Sequence, residues 1–218
     1  MYYRPKIFFP KKTYSSFGED IAVRHFFKNK KKGFYVDIGC YHPLEGSNTY
    51  LLYKDGWHGL NVDINERSIQ LFNVSRKRDL NFNYAISSES KKVKVFYRKQ
   101  INMLNTIVKK KALTSFKKGF KSSYIKAVTL NYLFKTANMK NNKIDFLNID
   151  VEGNELKVLK SLNFKSYTPK LICIEIHNFK RIENENFYKS TQIYKFLMKK
   201  NYELFWRKGF SFIFKTKS

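Results

Sequence analysis

Short apolar runs alternate with helix-like segments along most of this chain, and this alternation limits the available folds more than any other feature. Five runs have the length of β-strands, at residues 33–38, 59–62, 82–86, 144–149 and 171–176. Several are almost continuously apolar, which is typical of strands covered on both faces. The pattern predicts an α/β fold, with a doubly wound parallel sheet, helices on both sides and right-handed crossovers.

The segments between the runs carry apolar residues at helical spacing. They cover residues 21–28, 48–54, 66–76, 128–136 and 155–162, and a further one covers 188–199. Near the C-terminus, residues 202–206 and 210–214 flank a turn that contains Gly209, which predicts a β-hairpin. Residues 94–97 suit a short strand, whereas residues 100–123 lack regular signals and suggest an insertion or lid.

The composition fits one domain over residues 1–218, with an N-terminal cap at about 1–32 and a basic lid at about 98–124. A chain of 218 residues with 43% hydrophobic residues can bury a core, so it is not a disordered protein. No run approaches the roughly 18 apolar residues of a membrane span, and the N-terminus lacks the apolar core of a secretion signal. Cys40 and Cys173 lie inside apolar runs, which suits buried thiols. We therefore expect a cytoplasmic protein.

Charge is distributed unevenly. Lys and Arg number 43 against 17 Asp and Glu, and all 15 charged residues between Ser90 and Ile144 are basic. One interpretation is a solvated lysine surface that reflects an AT-rich genome, since Lys, Asn, Ile, Phe and Tyr are all abundant. The other is a functional surface for an anionic partner. The composition leaves both open.

Carboxylates follow several of the predicted strands, where open α/β sheets bind their ligands. The first strand runs into Asp37-Ile38-Gly39, in which the glycine allows a tight turn. The second ends at Asp63, where an acidic side chain can accept the hydroxyls of a ribose. Neither the G-x-G-x-x-G dinucleotide motif nor a Walker A loop is present in the sequence. A ribose-bearing cofactor without a pyrophosphate, such as S-adenosylmethionine, fits this pattern.

Five stretches in order then give a specific resemblance. They are SSFGED at 15–20, GFYVDIGCYHPLEGSNTYLLYKDGWHGLNVDIN at 33–65, NYAIS at 83–87, IDFLNIDVEGNELKVLKSL at 144–162 and LICIEIHN at 171–178. In these stretches the sequence resembles the FkbM family of S-adenosylmethionine-dependent O-methyltransferases. The resemblance implies a class I methyltransferase (Rossmann-like) fold, with a mostly parallel seven-stranded sheet that ends in the hairpin.

The resemblance also implies a cofactor site at the strand ends. Asp37 and Gly39 would flank the cofactor, Asp63 would bind its ribose, and residues 83–87 would lie near the adenine. We expect the cofactor-binding residues to be Glu19, Asp37, Gly39, Asn48, Asp63, Ala85, Ile86 and Asp150. For Glu19 and its neighbour Asp20, the alternative is a role at the start of a helix, where acidic residues are favourable.

Methyl transfer to a hydroxyl requires a base that removes its proton. Glu152, Asp150 and His177 are the candidate catalytic residues, because two neighbouring carboxylates raise each other's proton affinity and histidine titrates near neutral pH. Glu152 could instead cap the helix that follows it. We expect no metal; a divalent cation held by Asp150, Glu152, Glu175 and His177, as in the similar macrocin-type sugar O-methyltransferases, is the less favoured alternative.

The acceptor is predicted from charge. Glu175, His177, Lys109 and Lys110 are the candidate substrate-binding residues, and the lysines favour an anionic acceptor. We expect a sugar hydroxyl on a surface glycan, a glycolipid or a related metabolite, with peripheral contact to an anionic membrane. The alternatives are methylation of RNA or DNA through the basic surface, and a non-catalytic module that binds polyanions.

Overall fold

The computed structural model of the chain describes residues 13–99, 101–117, 119–139, 143–177 and 185–217. The helices are α1 (Glu19–Phe26), α2 (Tyr50–Lys54), α3 (Glu66–Ser75), α4 (Lys109–Phe116), α5 (Leu130–Thr136), α6 (Glu155–Lys160), α7 (Glu185–Ser190) and α8 (Gln192–Lys199). The strands are β1 (Phe34–Ile38), β2 (His58–Asp63), β3 (Leu80–Asn83), β4 (Ala85–Ile86), β5 (Lys91–Tyr97), β6 (Lys121–Val128), β7 (Phe146–Ile149), β8 (Leu171–Glu175), β9 (Tyr202–Lys208) and β10 (Ser211–Thr216).

Seven strands form one sheet in the order β3-β2-β1-β7-β8-β10-β9. The first five are parallel, and β10 runs antiparallel to both β8 and β9. The predicted fold class and the C-terminal hairpin are therefore confirmed. The chain builds outward from β1 to β3 and then returns to the other side of β1 with β7. The strand order thus reverses between β1 and β7, the place where such sheets bind ligands.

Both faces of the large sheet are buried at its central strands β1, β7 and β8, as the near-continuous apolar runs predicted. Val36 and Ile38 of β1 face a core that also contains side chains of α5, α6 and α8. Tyr35 of the same strand faces a second core with Val23 of α1 and Leu52 of α2. This alternation fixes β1 at the centre of the molecule.

A second, three-stranded sheet in the order β4-β6-β5 lies outside the predicted pattern. The strand expected at residues 82–86 is divided, since β3 joins the large sheet and β4 the small one. The segment expected to be an insertion or lid contains α4 and the start of β6, regular elements that the sequence did not indicate. Its role as an insertion or lid stays a prediction. The first four residues of β6 are exposed, so no alternation of apolar residues marks it in the sequence.

Two further boundaries differ from the prediction. The segment expected as one helix at 188–199 is divided between α7 and α8. Thr191 caps the N-terminus of α8, where its hydroxyl accepts a hydrogen bond from the Tyr194 backbone N–H. Of the expected N-terminal cap, residues 1–12 lie outside the described residues. No helix within the described ranges has both the length and the apolar character needed to cross a bilayer. The cytoplasmic location and the single domain over residues 1–218 stay predictions.

Candidate active site

A cavity of about 330 Å³ opens at the carboxyl ends of the central strands, beside the point where the strand order reverses. Its volume is within the range of small-molecule sites. Eleven of the predicted site residues line it: Glu19, Asp37, Gly39, Asn48, Asp63, Ala85, Ile86, Asp150, Glu152, Glu175 and His177. The residues chosen for the cofactor and for catalysis thus meet at one place, although they come from distant parts of the sequence.

Gly39 forms the turn after β1 with a φ of 81°. A Cβ atom at this position would lie 1.7 Å from the carbonyl oxygen of Asp150, which follows β7. The backbone N–H groups of Gly39 and Cys40 both donate to the carbonyl oxygen of Val62 at the end of β2. Only glycine therefore allows the ends of these three strands to come together at the cavity.

Asp37 is held by a buried polar network at the floor of the cavity. Its carboxylate accepts hydrogen bonds from the Asn148 amide (2.8 Å) and the Thr49 hydroxyl (2.7 Å). The Asn48 amide in turn donates to the Asn148 side-chain oxygen at 2.9 Å. Burial raises the pKa of Asp37, and the two hydrogen bonds partly oppose that shift. Asn148, which was not among the predicted site residues, connects two predicted cofactor residues, Asp37 and Asn48.

Asp63 presents a fixed carboxylate at the end of β2. One oxygen accepts from the Tyr41 backbone N–H at 2.8 Å, and the other accepts from the Asn65 backbone N–H at 2.7 Å. Burial raises the pKa of Asp63 to about 6, against these two hydrogen bonds. Each carboxylate oxygen has a second lone pair, so both can also accept hydrogen bonds from a ligand diol.

The two N-terminal carboxylates have different environments. Glu19 lines the cavity, where it accepts hydrogen bonds from the Ser211 hydroxyl (2.6 Å) and the Phe17 backbone N–H (2.7 Å). Asp20 is fully buried and accepts from Thr13, from the backbone of Tyr14 and from Ser15, all N-terminal to it. Asp20 therefore anchors the segment that precedes α1, while Glu19 is available to the site.

Glu152, Glu175 and His177 form a cluster at another part of the cavity wall. The His177 Nε2 atom lies 2.7 Å from a Glu175 oxygen and 3.8 Å from Glu152 Oε2. Glu152 has a φ of 54°, an uncommon backbone conformation for a residue with a side chain. Its carbonyl oxygen accepts a hydrogen bond from the buried Thr106 hydroxyl at 2.8 Å. The segment before α4 therefore contributes to the position of Glu152.

The cluster changes the proton affinities of its members. Burial lowers the pKa of His177, but the hydrogen bond and the charge of Glu175 outweigh it, and the net shift is upward. Burial, followed by the charges of Glu175 and Glu152, raises the pKa of Asp150 well above its ordinary value. The site thus holds a carboxyl group and an imidazole that both retain protons more strongly than in water. Such groups are suited to acid–base chemistry.

Lys111 is the residue of the lysine run that enters the site. It lines the cavity from α4, and its ammonium lies 2.8 Å from Glu152 Oε2. Lys109 and Lys110, the lysines predicted to bind substrate, are exposed and do not line the cavity. Helical phase explains this difference, because Lys111 and Ser115 share the inner side of α4 while Lys109 and Lys110 lie on its outer side. Substrate binding by Lys109 and Lys110 stays a prediction.

The cluster also has the donor set of a cation site. One ligand atom from each of Glu152, Glu175 and His177 lies within 4.8 Å of the others. Carboxylate and imidazole groups suit several divalent metals. The Lys111 ammonium, however, already places a positive charge beside Glu152. The expectation that no metal is required stays a prediction.

Comparison with known proteins identifies the group to which these features belong. The family model described as Methyltransferase FkbM domain matches residues 37–204, a range that begins at Asp37 near the end of β1 and includes β2, β7 and β8. The chain belongs to the FkbM methyltransferase family. This confirms the resemblance, although the SSFGED stretch at 15–20 precedes the matched range and Asn178 lies outside the described residues. A search of curated proteins and a search of solved structures each found no match.

For an FkbM methyltransferase domain, methyl transfer is the general activity, and S-adenosylmethionine is in general the methyl donor. Sequence reasoning missed several residues of the site in this domain. Besides Lys111 and Asn148, Ser211 contacts Glu19, and the Asn154 amide donates to the carbonyl oxygen of Ile86 at 2.9 Å. Asn154 follows the D-V-E-G motif directly, so its position was a usable signal, whereas Ser211 lies in the hairpin with no motif around it.

Proposed function

We propose that this chain is an S-adenosylmethionine-dependent O-methyltransferase that acts on a sugar hydroxyl of a glycan, a glycolipid or a related metabolite. The observation that carries the proposal is a single cavity that has groups suited to the cofactor on one side and groups suited to acid–base chemistry on the other. The ends of β1 and β2 supply Gly39 and the oriented carboxylate of Asp63. The ends of β7 and β8 supply Glu152, Glu175 and His177.

The residues present fit the proposed cofactor. Asp63 offers two carboxylate oxygens for a ribose diol, and the apolar side chains of Ala85, Ile86 and Val62 line the same cavity for an adenine ring. Glu19 and Asp37 add negative charge, which suits a ligand that carries an ammonium and a sulfonium group. When bound, the cofactor supplies a methyl carbon made electrophilic by the sulfonium.

His177 is the base that we favour. With the cofactor bound, it would accept the proton that the acceptor hydroxyl loses when its oxygen takes up the methyl group. Glu175, at 2.7 Å, fixes the imidazole and stabilises its charged form. Glu152 is the weaker candidate because its carboxylate is already paired with the Lys111 ammonium. A sugar acceptor suits this wall, since vicinal hydroxyls can donate to several carboxylates at once.

The test is calorimetric binding of S-adenosylmethionine and S-adenosylhomocysteine, followed by a screen of glycan acceptors with a labelled methyl donor. We expect both ligands to bind the wild-type chain and the Asp55→Asn control, which alters an exposed carboxylate outside the cavity. Binding should weaken in Asp63→Asn. Failure of the wild-type chain to bind either ligand would contradict the cofactor assignment, and labelling of RNA or DNA but no glycan would contradict the acceptor class.

A further inference from the structure

The outer side of α4 carries a regular basic stripe. Lys109, Leu113 and Lys117 recur at intervals of four residues, and Lys110 lies beside them; all four are exposed, Leu113 by 49%. The inner side of the same helix contacts the cavity and the three-stranded sheet. Lys111 and Ser115 line the cavity, and Ala112 and Phe116 pack on Phe96 of β5. The stripe is therefore the side of α4 that faces away from the protein.

The three-stranded sheet continues this surface. In β5, Lys92, Lys94 and Phe96 alternate onto one face, and Tyr124 and Lys126 of β6 lie opposite the two lysines. Because α4 packs on Phe96, the helix lies on that same face of the sheet. We define the lysine face as six exposed lysines and two exposed apolar or aromatic side chains: Lys92, Lys94, Lys109, Lys110, Lys117, Lys126, Leu113 and Tyr124.

The charge of the lysine face is not neutralised locally. The sequence contains no Asp or Glu between Ser90 and Ile144. In the part of the chain that the structure describes, none of the six lysines is within ion-pair distance of a carboxylate, whereas the adjacent Lys91 pairs with Glu89. A group of like charges of this kind costs free energy in isolation and is stabilised by an anionic partner.

We propose that the lysine face docks on an anionic membrane surface. Leu113, which lies between two lysines on one helix stripe and is exposed by 49%, supplies an apolar side chain that can enter the headgroup region. A nucleic acid would instead need free aromatic rings for base stacking. The exposed aromatic ring of the lysine face, Tyr124, has the ammonium groups of Lys92 and Lys94 at 5.2 and 5.6 Å from its centre, so a stacked base would have to compete with these two contacts.

Docking in this way places α4, which also forms part of the cavity wall, at the membrane. Met103 lines the cavity and is also exposed, and α4 contributes one side to the cavity and the opposite side to the lysine face. If the proposed methyltransferase function holds, the acceptor is then a hydroxyl compound carried on a lipid. Membrane docking itself does not depend on that function, because it requires no cofactor.

The experiment is co-sedimentation of the full chain with vesicles of phosphatidylcholine alone, and with vesicles that also contain phosphatidylglycerol. We expect binding only to the anionic vesicles, and a decrease with added salt. The triple variant Lys109→Gln, Lys110→Gln and Lys117→Gln should bind on the order of 100-fold more weakly, since each lysine near an anionic bilayer contributes about fivefold. A matched control replaces three exposed lysines of other surfaces, with Lys165→Gln, Lys195→Gln and Lys199→Gln.

A second variant tests the choice of partner. Leu113→Ser should weaken vesicle binding several-fold and leave binding to a single-stranded oligonucleotide unchanged. Thermal unfolding of each variant checks that the fold is retained. The proposal is overturned if anionic vesicles do not bind the wild-type chain, if the control triple loses as much affinity as the α4 triple, or if the oligonucleotide binds more tightly than the vesicles.

Discussion

The substitution Asp63→Asn should weaken cofactor binding strongly while changing the free energy of unfolding only slightly. Burial raises the pKa of Asp63 to about 6 from an ordinary value of 3.8. The folded chain therefore holds this proton more tightly than the unfolded chain does, and stability falls as the pH rises from about 4 to about 6. Above pH 6 the ionised carboxylate costs about 3 kcal/mol, since each pKa unit corresponds to about 1.4 kcal/mol.

Asparagine removes this cost but cannot replace every contact. Its amide has one acceptor oxygen, so one of the two backbone N–H donors, on Tyr41 or Asn65, faces an N–H₂ group. Leaving such a buried donor without an acceptor costs about 1–3 kcal/mol. The two effects nearly cancel, and we expect the free energy of unfolding at pH 7.5 to change by less than about 2 kcal/mol.

Ligand binding should respond much more strongly. A hydrogen bond from a ribose hydroxyl to an ionised carboxylate contributes about 1.5–3 kcal/mol, so losing one weakens binding by about 10- to 150-fold. The wild-type affinity should also fall about tenfold between pH 7 and pH 5, as Asp63 takes up a proton. The variant has no carboxyl group to titrate at this position, so this part of the pH dependence should be missing.

Calorimetry with S-adenosylhomocysteine at pH 5, 6 and 7, together with urea unfolding of both proteins, measures all three quantities. The interpretation of Asp63 is refuted if Asp63→Asn binds with wild-type affinity. It is also refuted if both proteins show the same pH dependence of binding. Loss of folding in the variant at pH 7.5 would show instead that the carboxylate holds the strand ends together.

Four further predictions follow from the same geometry. Gly39→Ala should destabilise the fold by at least about 3 kcal/mol in urea unfolding, because the added Cβ atom would clash with the Asp150 carbonyl oxygen. The control Gly56→Ala should cost only about 1–2 kcal/mol, because Gly56 also has a positive φ (90°) but an added Cβ atom there would have no atom within 4 Å. Arg76→Met should cost about 3–5 kcal/mol by the same measurement, since this fully buried guanidinium donates several hydrogen bonds to the loop before α2. His177→Gln should lower kcat by about 10²- to 10⁴-fold and leave the calorimetric affinity for the cofactor unchanged; equal turnover would remove histidine from the mechanism. Methyl transfer should survive a chelator such as EDTA, and loss of activity that magnesium restores would establish a metal site instead.

The sequence predicted the large sheet and most of the cavity for a physical reason. Strands buried on both faces must be almost wholly apolar. The first carboxylate after such a run therefore marks the end of the strand in the sequence, as at Asp63 and Asp150. Parallel strands then bring those ends to one edge of the sheet. This is why residues more than 100 positions apart, such as Asp37 and Asp150, could be expected at one site.

The positions of α4 and β6 could not be predicted in the same way. Strand β6 is exposed over most of its length and has no apolar period. Lys109, Lys110 and Lys111 are identical in type, and only the packing of Phe116 on Phe96 determines which of them faces the cavity. The sequence alone therefore does not distinguish Lys111 from Lys109 and Lys110, because the rotation of α4 about its axis depends on this tertiary contact.

The distribution of charge in the folded chain connects the two proposals. Six of the 17 carboxylates line the cavity, where they are accompanied by one lysine: Glu19, Asp37, Asp63, Asp150, Glu152 and Glu175. The interior of the site is thus rich in carboxylates in a protein with a net charge of +26, although burial raises the pKa of Asp37, Asp63 and Asp150 and so reduces the negative charge that these three contribute. Low-dielectric walls strengthen that field inside the cavity, while solvent and salt screen the lysines outside over about 8–10 Å. The cavity carboxylates can therefore attract a sulfonium cofactor while the lysines on the outer surface attract an anionic membrane, because each field acts mainly in its own region of the protein.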